Sequence, residues 1–135
     1  IFPLIEQIVR CPESTLYLFL HNSIVQVCAH LGITTKIIVS SAVVIDHHLQ
    51  AQGKVLALCE ALGATTYLNT IGGMKLYGRD EFGACGVELK FIKAKPFEYR
   101  QFGAPFVPWL SIVDVMMFME PELICDVLRN GYELV

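Results

Sequence analysis

The sequence predicts an α/β fold: a small parallel or mixed sheet flanked by helices in the three-layer manner. Three observations lead there. Apolar residues at helical spacing alternate along the chain with short β-favouring runs, and that order implies parallel strands joined by right-handed crossovers. The frame Cys-x-x-Leu-Gly-x-Thr-Thr occurs twice, as CAHLGITT from Cys28 and as CEALGATT from Cys59. Each copy reads as a helix end, a glycine cap and a strand start, so the echo marks two successive αβ units rather than a repeat array. The third is KPFEYRQFGAPFVPWL, where Pro96, Pro105, Pro108 and many aromatics predict a long packed loop in place of a helix.

The elements follow in order. Residues 4–9 predict one or two helical turns. PESTLYLFLHNSIVQVCAHLG predicts a long helix, opened by Pro12 with Glu13 near its positive end and closed by Gly32. Leu16, Leu20, Val27 and Leu31 recur at helical spacing and most of the circumference is apolar, as in a buried helix or one that meets a partner. In TKIIVSSAVV the β-branched run Ile37-Ile38-Val39 predicts a strand buried on both faces. QAQGKVLALCEALG returns to helical spacing, with Val55, Leu58, Cys59 and Leu62 on one face and Gly63 as the stop. TTYLN is the next strand and RDEFGAC a short helix stopped by Gly86. VELKFIKA alternates, with Val87, Leu89 and Phe91 inward up to a break and Glu88, Lys90 and Lys93 on the wetter side, and reads as a strand near the sheet edge. SIVDVMMFM is a helix with Ser111 as N-cap and Asp114 as its capping-box partner. Pro121 starts a last helix that ends near Gly131.

Bulk composition narrows the function. The 135 residues suit a single domain, 1–135. The chain is 54% hydrophobic and only 17% charged, more apolar than a small domain can easily hide, which predicts contact with a further segment or a second copy. A net charge of −3 argues against nucleic acid as a partner. No apolar run reaches the roughly 18 residues of a membrane span. The start IFPLIEQIVR has no signal-peptide pattern, and a cytoplasmic location is expected. Cys11, Cys28, Cys59, Cys85 and Cys125 form no CxxC pair and read as reduced, buried thiols.

Candidate chemistry is sparse. The Gly72-Gly73 pair follows a strand, where α/β sheets bind ligands, yet no GxGxxG or GxxxxGK[ST] is present. The alternative is a turn that needs positive φ. Asp46, His47 and His48 read as a solvated loop, since adjacent side chains rarely converge on one metal. His21 and His30 lie on the long helix and Lys54 opens the second. Asp114, in an apolar setting after PWLS, is the candidate catalytic carboxylate, with the capping role as its structural alternative. Arg100, between Tyr99 and Gln101 and amid aromatics, could grip a carboxylate or phosphate or anchor the loop. No Ser-His-Asp order or paired-carboxylate signature stands out.

YLNTIGG, LYGRDEFGACGVELKF and EYRQFGAPFVPWLSIVDVMMF resemble the carboxyl-terminal part of the WbqC-like protein family, over about Leu31 to Phe118. KVLALCEALGATTYLN is also in register, as in Bacteroides-type members. The resemblance implies the carboxyl-terminal portion of a larger Rossmann-like domain, without the family's amino-terminal His-x-Pro-x-x-Leu-Pro-Trp turn. It implies a role in O-antigen or other surface-polysaccharide biosynthesis, either as a transferase of an aminoacyl group such as glycine to a sugar or as a non-catalytic scaffold. No cofactor is specified. The implied partner is a sugar or nucleotide-sugar. The motif positions are Tyr67, Gly72, Gly73, Tyr77, Tyr99, Gln101, Pro108, Ser111 and Asp114, with Asn69 in the same loop; Met119 stands where relatives often carry Asn. Together they are expected to line one cleft, with Tyr67, Tyr99 and Gln101 orienting substrate and Asp114 as base or donor-orienting group.

Overall fold

The computed structural model describes residues 1–103 and 105–135. Among them the chain is α/β, and it forms two compact units, Lys36–Lys95 with Tyr132–Val135 and Ile1–Thr35 with Pro96–Gly131. The first holds the sheet and the second is helical.

The sheet unit contains α3 (Ala51–Ala61), β1 (Thr66–Thr70), α4 (Arg79–Ala84), β2 (Glu88–Ala94) and β3 (Tyr132–Leu134). Strand order is β1-β2-β3, with β1 and β2 parallel and β3 antiparallel to β2. Tyr67 faces Leu89 and Asn69 faces Phe91 in the parallel register. Side chains alternate across a strand, so these four share one face. Cys59 of α3 and Phe82 of α4 pack with Val87, Leu89 and Phe91, and Val55, Leu56, Ala64, Tyr67 and Tyr77 surround them. Leu68 and Ile92, on the opposite face, are exposed.

Two expectations for this unit change. VELKFIKA becomes the central strand, because the unpredicted β3 adds to its outer side; Phe91 and Val135 exchange backbone hydrogen bonds of 2.9 and 3.0 Å. The run Ile37-Ile38-Val39 is not a strand. It pairs with nothing among the described residues, Ile37 and Ile38 are 44% and 45% exposed, and a 3-10 turn (Ser40–Ala42) follows. Strand propensity expresses itself only against a ladder partner and a packed face. At the C-cap of α3, Leu62 is also exposed, and Leu56 packs against the core instead.

The helical unit contains α1 (Phe2–Val9), α2 (Leu16–His30), α5 (Ile112–Phe118) and α6 (Pro121–Asn130). Its core is Leu31, Val115, Met116 and Ile124, with Leu4, Val27, Ile33, Tyr99 and Cys125 against them. Pro121 begins α6 as predicted. Helix α2 starts later than Pro12: Thr15 is the N-cap, its Oγ1 accepting the Leu18 N–H at 3.3 Å. A hydroxyl acceptor for an orphan N–H outcompetes a proline three residues upstream. No residue of α2 is buried, and Leu16, Tyr17, Leu20 and Ile24 are exposed.

The internal echo has a specific physical origin. Gly32 and Gly63 take φ of +64° and +61°. Gly32 N–H donates to Ala29 O and Ile33 N–H to Cys28 O; Gly63 N–H donates to Glu60 O and Ala64 N–H to Cys59 O. Both are Schellman helix ends, in which a left-handed residue lets two N–H groups satisfy the last carbonyls. Gly86, at φ +72°, ends α4 in the same way, with Val87 N–H on Phe82 O. The echo thus encodes helix termination twice, and a strand follows only the second copy.

Phe82 is wholly buried and its ring stacks on Tyr67 at 5.4 Å between centroids. Phe82→Ala is expected to cost about 3–5 kcal/mol, read as a lowered urea midpoint.

Candidate functional site

The predicted site residues fall into two groups, one in each unit. In the sheet unit, β1 leads at its carboxyl end into a 3-10 turn, Ile71–Gly73. This is the strand end at which parallel sheets take ligands. Neither Gly72 nor Gly73 has positive φ, so the expected conformational reason for the glycine pair gives way to a steric one. Gly73 is buried, and a Cβ there would stand 2.7 Å from Asn69 Nδ2. Asn69 is fixed in turn, its Oδ1 accepting the Thr70 N–H at 2.7 Å. The far end of the loop is held by Gln52 on α3, whose Oε1 accepts the Gly78 N–H at 2.7 Å.

Tyr67 and Tyr77 are half-buried and meet edge-on at 5.7 Å, both against Phe82. Burial first, then the hydrogen bond with Tyr77, pushes the Tyr67 pKa up to about 12. Beside them Cys59 is buried, and burial raises its thiol as well. The five cysteines are free, yet Cys59 alone is buried; Cys85 is exposed and the other three are intermediate, which corrects the expectation of buried thiols.

In the helical unit the long loop and α5 build a tighter constellation. Tyr99 Oη donates to Asp114 Oδ2 at 2.5 Å. Gln101 Nε2 donates to the same oxygen at 3.2 Å, to Tyr99 Oη at 3.2 Å and to Val107 O at 3.1 Å. Gln101 Oε1 accepts the Val107 N–H at 2.9 Å, so one amide clamps the loop to itself and to the carboxylate. Donation to Asp114 is the main cause of the raised Tyr99 pKa. Phe97, Phe106 and Phe118 pack around the Tyr99 ring, with centroids 5.3–6.3 Å away. Trp109 has φ 61°, a left-handed conformation that bulky side chains rarely adopt.

The predicted capping box is half formed. Ser111 Oγ accepts the Val113 N–H at 3.2 Å, while Asp114 turns to Tyr99 and Gln101. A phenol and an amide placed on one carboxylate oxygen outbid a single backbone N–H. All side-chain hydrogen bonds to Asp114 from the described residues reach Oδ2, and none of them reaches Oδ1. Sequence reasoning missed the Val107 clamp and the walls Phe106 and Phe118; their signal was the density of aromatics around Tyr99. His47 bonds to Val43 O and His48 N–H to Asp46 Oδ1, an exposed turn. Among the described residues no group of three His, Cys, Asp or Glu could hold a metal, and no helix is long and apolar enough to cross a membrane.

The YLNTIGG loop and the Tyr99–Gln101–Asp114 network occur in a chain that matches the family model for the WbqC-like protein family over residues 1–125. The chain belongs to that family. The match reaches further than the Leu31–Phe118 resemblance in the residues, taking in α1 and α2 as well. No curated protein and no solved structure matches the chain.

Two outcomes are expected of this WbqC-like chain. Gly73→Ala is expected to cost about 1–3 kcal/mol by overpacking. In an Asn69→Ala background most of that cost disappears, a coupling that a urea double-mutant cycle reads directly. Tyr67 is expected to resist ionisation to about pH 12 in a 295 nm titration. An unfolded tyrosine loses its proton near pH 10, about two units earlier. The stability it contributes is therefore full below about pH 10 and is lost as pH rises toward 12. Tyr67→Phe removes that high-pH phase.

Proposed function

We propose that this WbqC-like chain is a transferase that moves an aminoacyl or similar group onto a sugar hydroxyl in O-antigen or other surface-polysaccharide biosynthesis. The observation that carries this reading is the Asp114 carboxylate, held through Oδ2 by Tyr99 and Gln101, with no described residue bonded to Oδ1. In the reaction, Oδ1 takes the proton of a sugar hydroxyl as that oxygen attacks the acyl carbonyl. A carbon–oxygen bond forms, the bond to the donor breaks, and the donor's leaving atom departs with the proton returned by Asp114. Tyr99 and Gln101 spend no proton; they fix the base. Ser111 caps α5 and so sets the Asp114 backbone. Within the sheet unit by itself, Tyr67, Asn69, Gly72, Gly73 and Tyr77 are the residues proposed for substrate contact.

A second reading is a non-catalytic scaffold of a polysaccharide-biosynthesis assembly. The exposed apolar side chains of α2 favour it, including Leu16 at 72% exposed.

The transfer reading is tested by a thermal-shift panel of sugars, nucleotide-sugars and aminoacyl donors, followed by transfer assays on the ligands that bind. A ligand at about a hundred times its Kd adds roughly 2.7 kcal/mol of stability. Asp114→Asn is expected to lower transfer about 100-fold or more with little change in Tm, and Tyr99→Phe by less. If no ligand stabilises the protein, or if Asp114→Asn transfers at the parent rate, the reading fails and the scaffold gains.

A further inference from the structure

Arg100 lies between Tyr99 and Gln101, and its guanidinium enters no ion pair, hydrogen bond or ring stacking among the described residues. With Gln101, Phe102 and Phe118 it lines a hollow of about 240 Å³. Phe102 and Phe118 meet there edge to face at 4.7 Å and 72°. Gln101 is common to the hollow and the Asp114 network: the residue lines the one, and its amide bonds the other.

We propose that this hollow is an anion subsite for the phosphate of a phosphorylated sugar. The proposal rests on the transfer reading, in that it takes the substrate to be a sugar. An arginine fork presents paired donors that match phosphate geometry. The aromatic wall beside it offers a flat apolar surface to the C–H face of a sugar ring. Size selects within the class. The hollow is smaller than the ~300–1,000 Å³ of pockets that enclose drug-sized ligands, so it suits a monosaccharide phosphate rather than a whole nucleotide-sugar. Arg100 is exposed, so its charge is hydrated when free and its contact with phosphate is screened by salt.

The test is calorimetric titration of the full chain at low salt with glucose 1-phosphate, methyl glucoside and inorganic phosphate. The parent, Arg100→Gln, Arg100→Lys and Asp114→Asn are compared. Glucose 1-phosphate is expected to bind more tightly than methyl glucoside. Arg100→Gln is expected to weaken glucose 1-phosphate about tenfold and leave methyl glucoside unchanged. Arg100→Lys restores part of the loss, and added salt erodes the preference. An exposed arginine carries no core packing, so an unchanged Tm confirms that each variant is folded. The subsite is overturned if the two sugar ligands bind alike, if Arg100→Gln changes nothing, or if none of the three probes binds. Should inorganic phosphate and glucose 1-phosphate bind equally tightly through Arg100 while methyl glucoside does not bind, the subsite stands and sugar transfer falls. Should methyl glucoside bind in an Asp114-dependent way with Arg100→Gln silent, the subsite falls and sugar transfer stands.

Discussion

Phe82 does two jobs in the sheet unit, and the second depends on the first. Its carbonyl takes the Val87 N–H, which closes α4 and aims the chain into β2. Its ring, wholly buried, is the surface on which Tyr67 stacks and Tyr77 abuts. Helix end, strand entry and the core side of the β1 loop therefore converge on one residue. Gly86 makes this possible, since only a left-handed residue lets the backbone fold back to that carbonyl so soon. The Ile71–Gly73 turn inherits its position from this packing. Its glycine leaves room for Asn69 and its far end hangs on Gln52.

The helical unit is organised by polar groups where the sheet unit is organised by rings. In the loop before α5 the Gln101 amide supplies both backbone partners of Val107. The same amide and the Tyr99 phenol meet on Asp114, a half-buried carboxylate. Such a carboxylate needs donors whatever its chemistry, because desolvating a charge without them is costly. What distinguishes Asp114 is that both donors crowd one oxygen. Donors divided between the two oxygens would satisfy both, and this asymmetry is the feature on which the proposed role of Asp114 rests.

Legibility in the sequence followed how local each cause was. Helix stops at Gly32, Gly63 and Gly86 were readable because the Schellman end is determined by residues within one turn. Strand β1 was readable from its short β-favouring run and β2 from alternation. Ile37-Ile38-Val39 misled because composition reports what a strand would like, while pairing is decided by a partner elsewhere in the chain. The same limit hid β3, whose three residues carry no pattern of their own. In the site, Tyr99, Gln101 and Asp114 were picked out by residue type and resemblance, but their mutual bonding was not. Asp114 had a local explanation in Ser111, and only the placement of the loop over α5 shows that it prefers Tyr99.

The high apolar content resolves into particular places. It does not sit in an oversized core: Phe82, Phe91 and Ile124 are the largest fully buried side chains among the described residues. Much of it is on α2 and on the outer sheet face at Leu68 and Ile92. Scattered apolar residues on a surface require no explanation, but runs of them on one helix do. A helix whose N-cap and C-terminal glycine are both well formed is stable in its ends, so the apolar flank of α2 is not there to hold the helix together. Its burial would contribute on the order of 25 cal/mol per Å² to any contact that covered it. The Asp114 loop and helix α2 lie in the same unit, yet the first is held by polar clamps and the second exposes an apolar flank. The transferase and scaffold readings are therefore separable by mutation: changes at Asp114 bear on the former and changes along α2 on the latter.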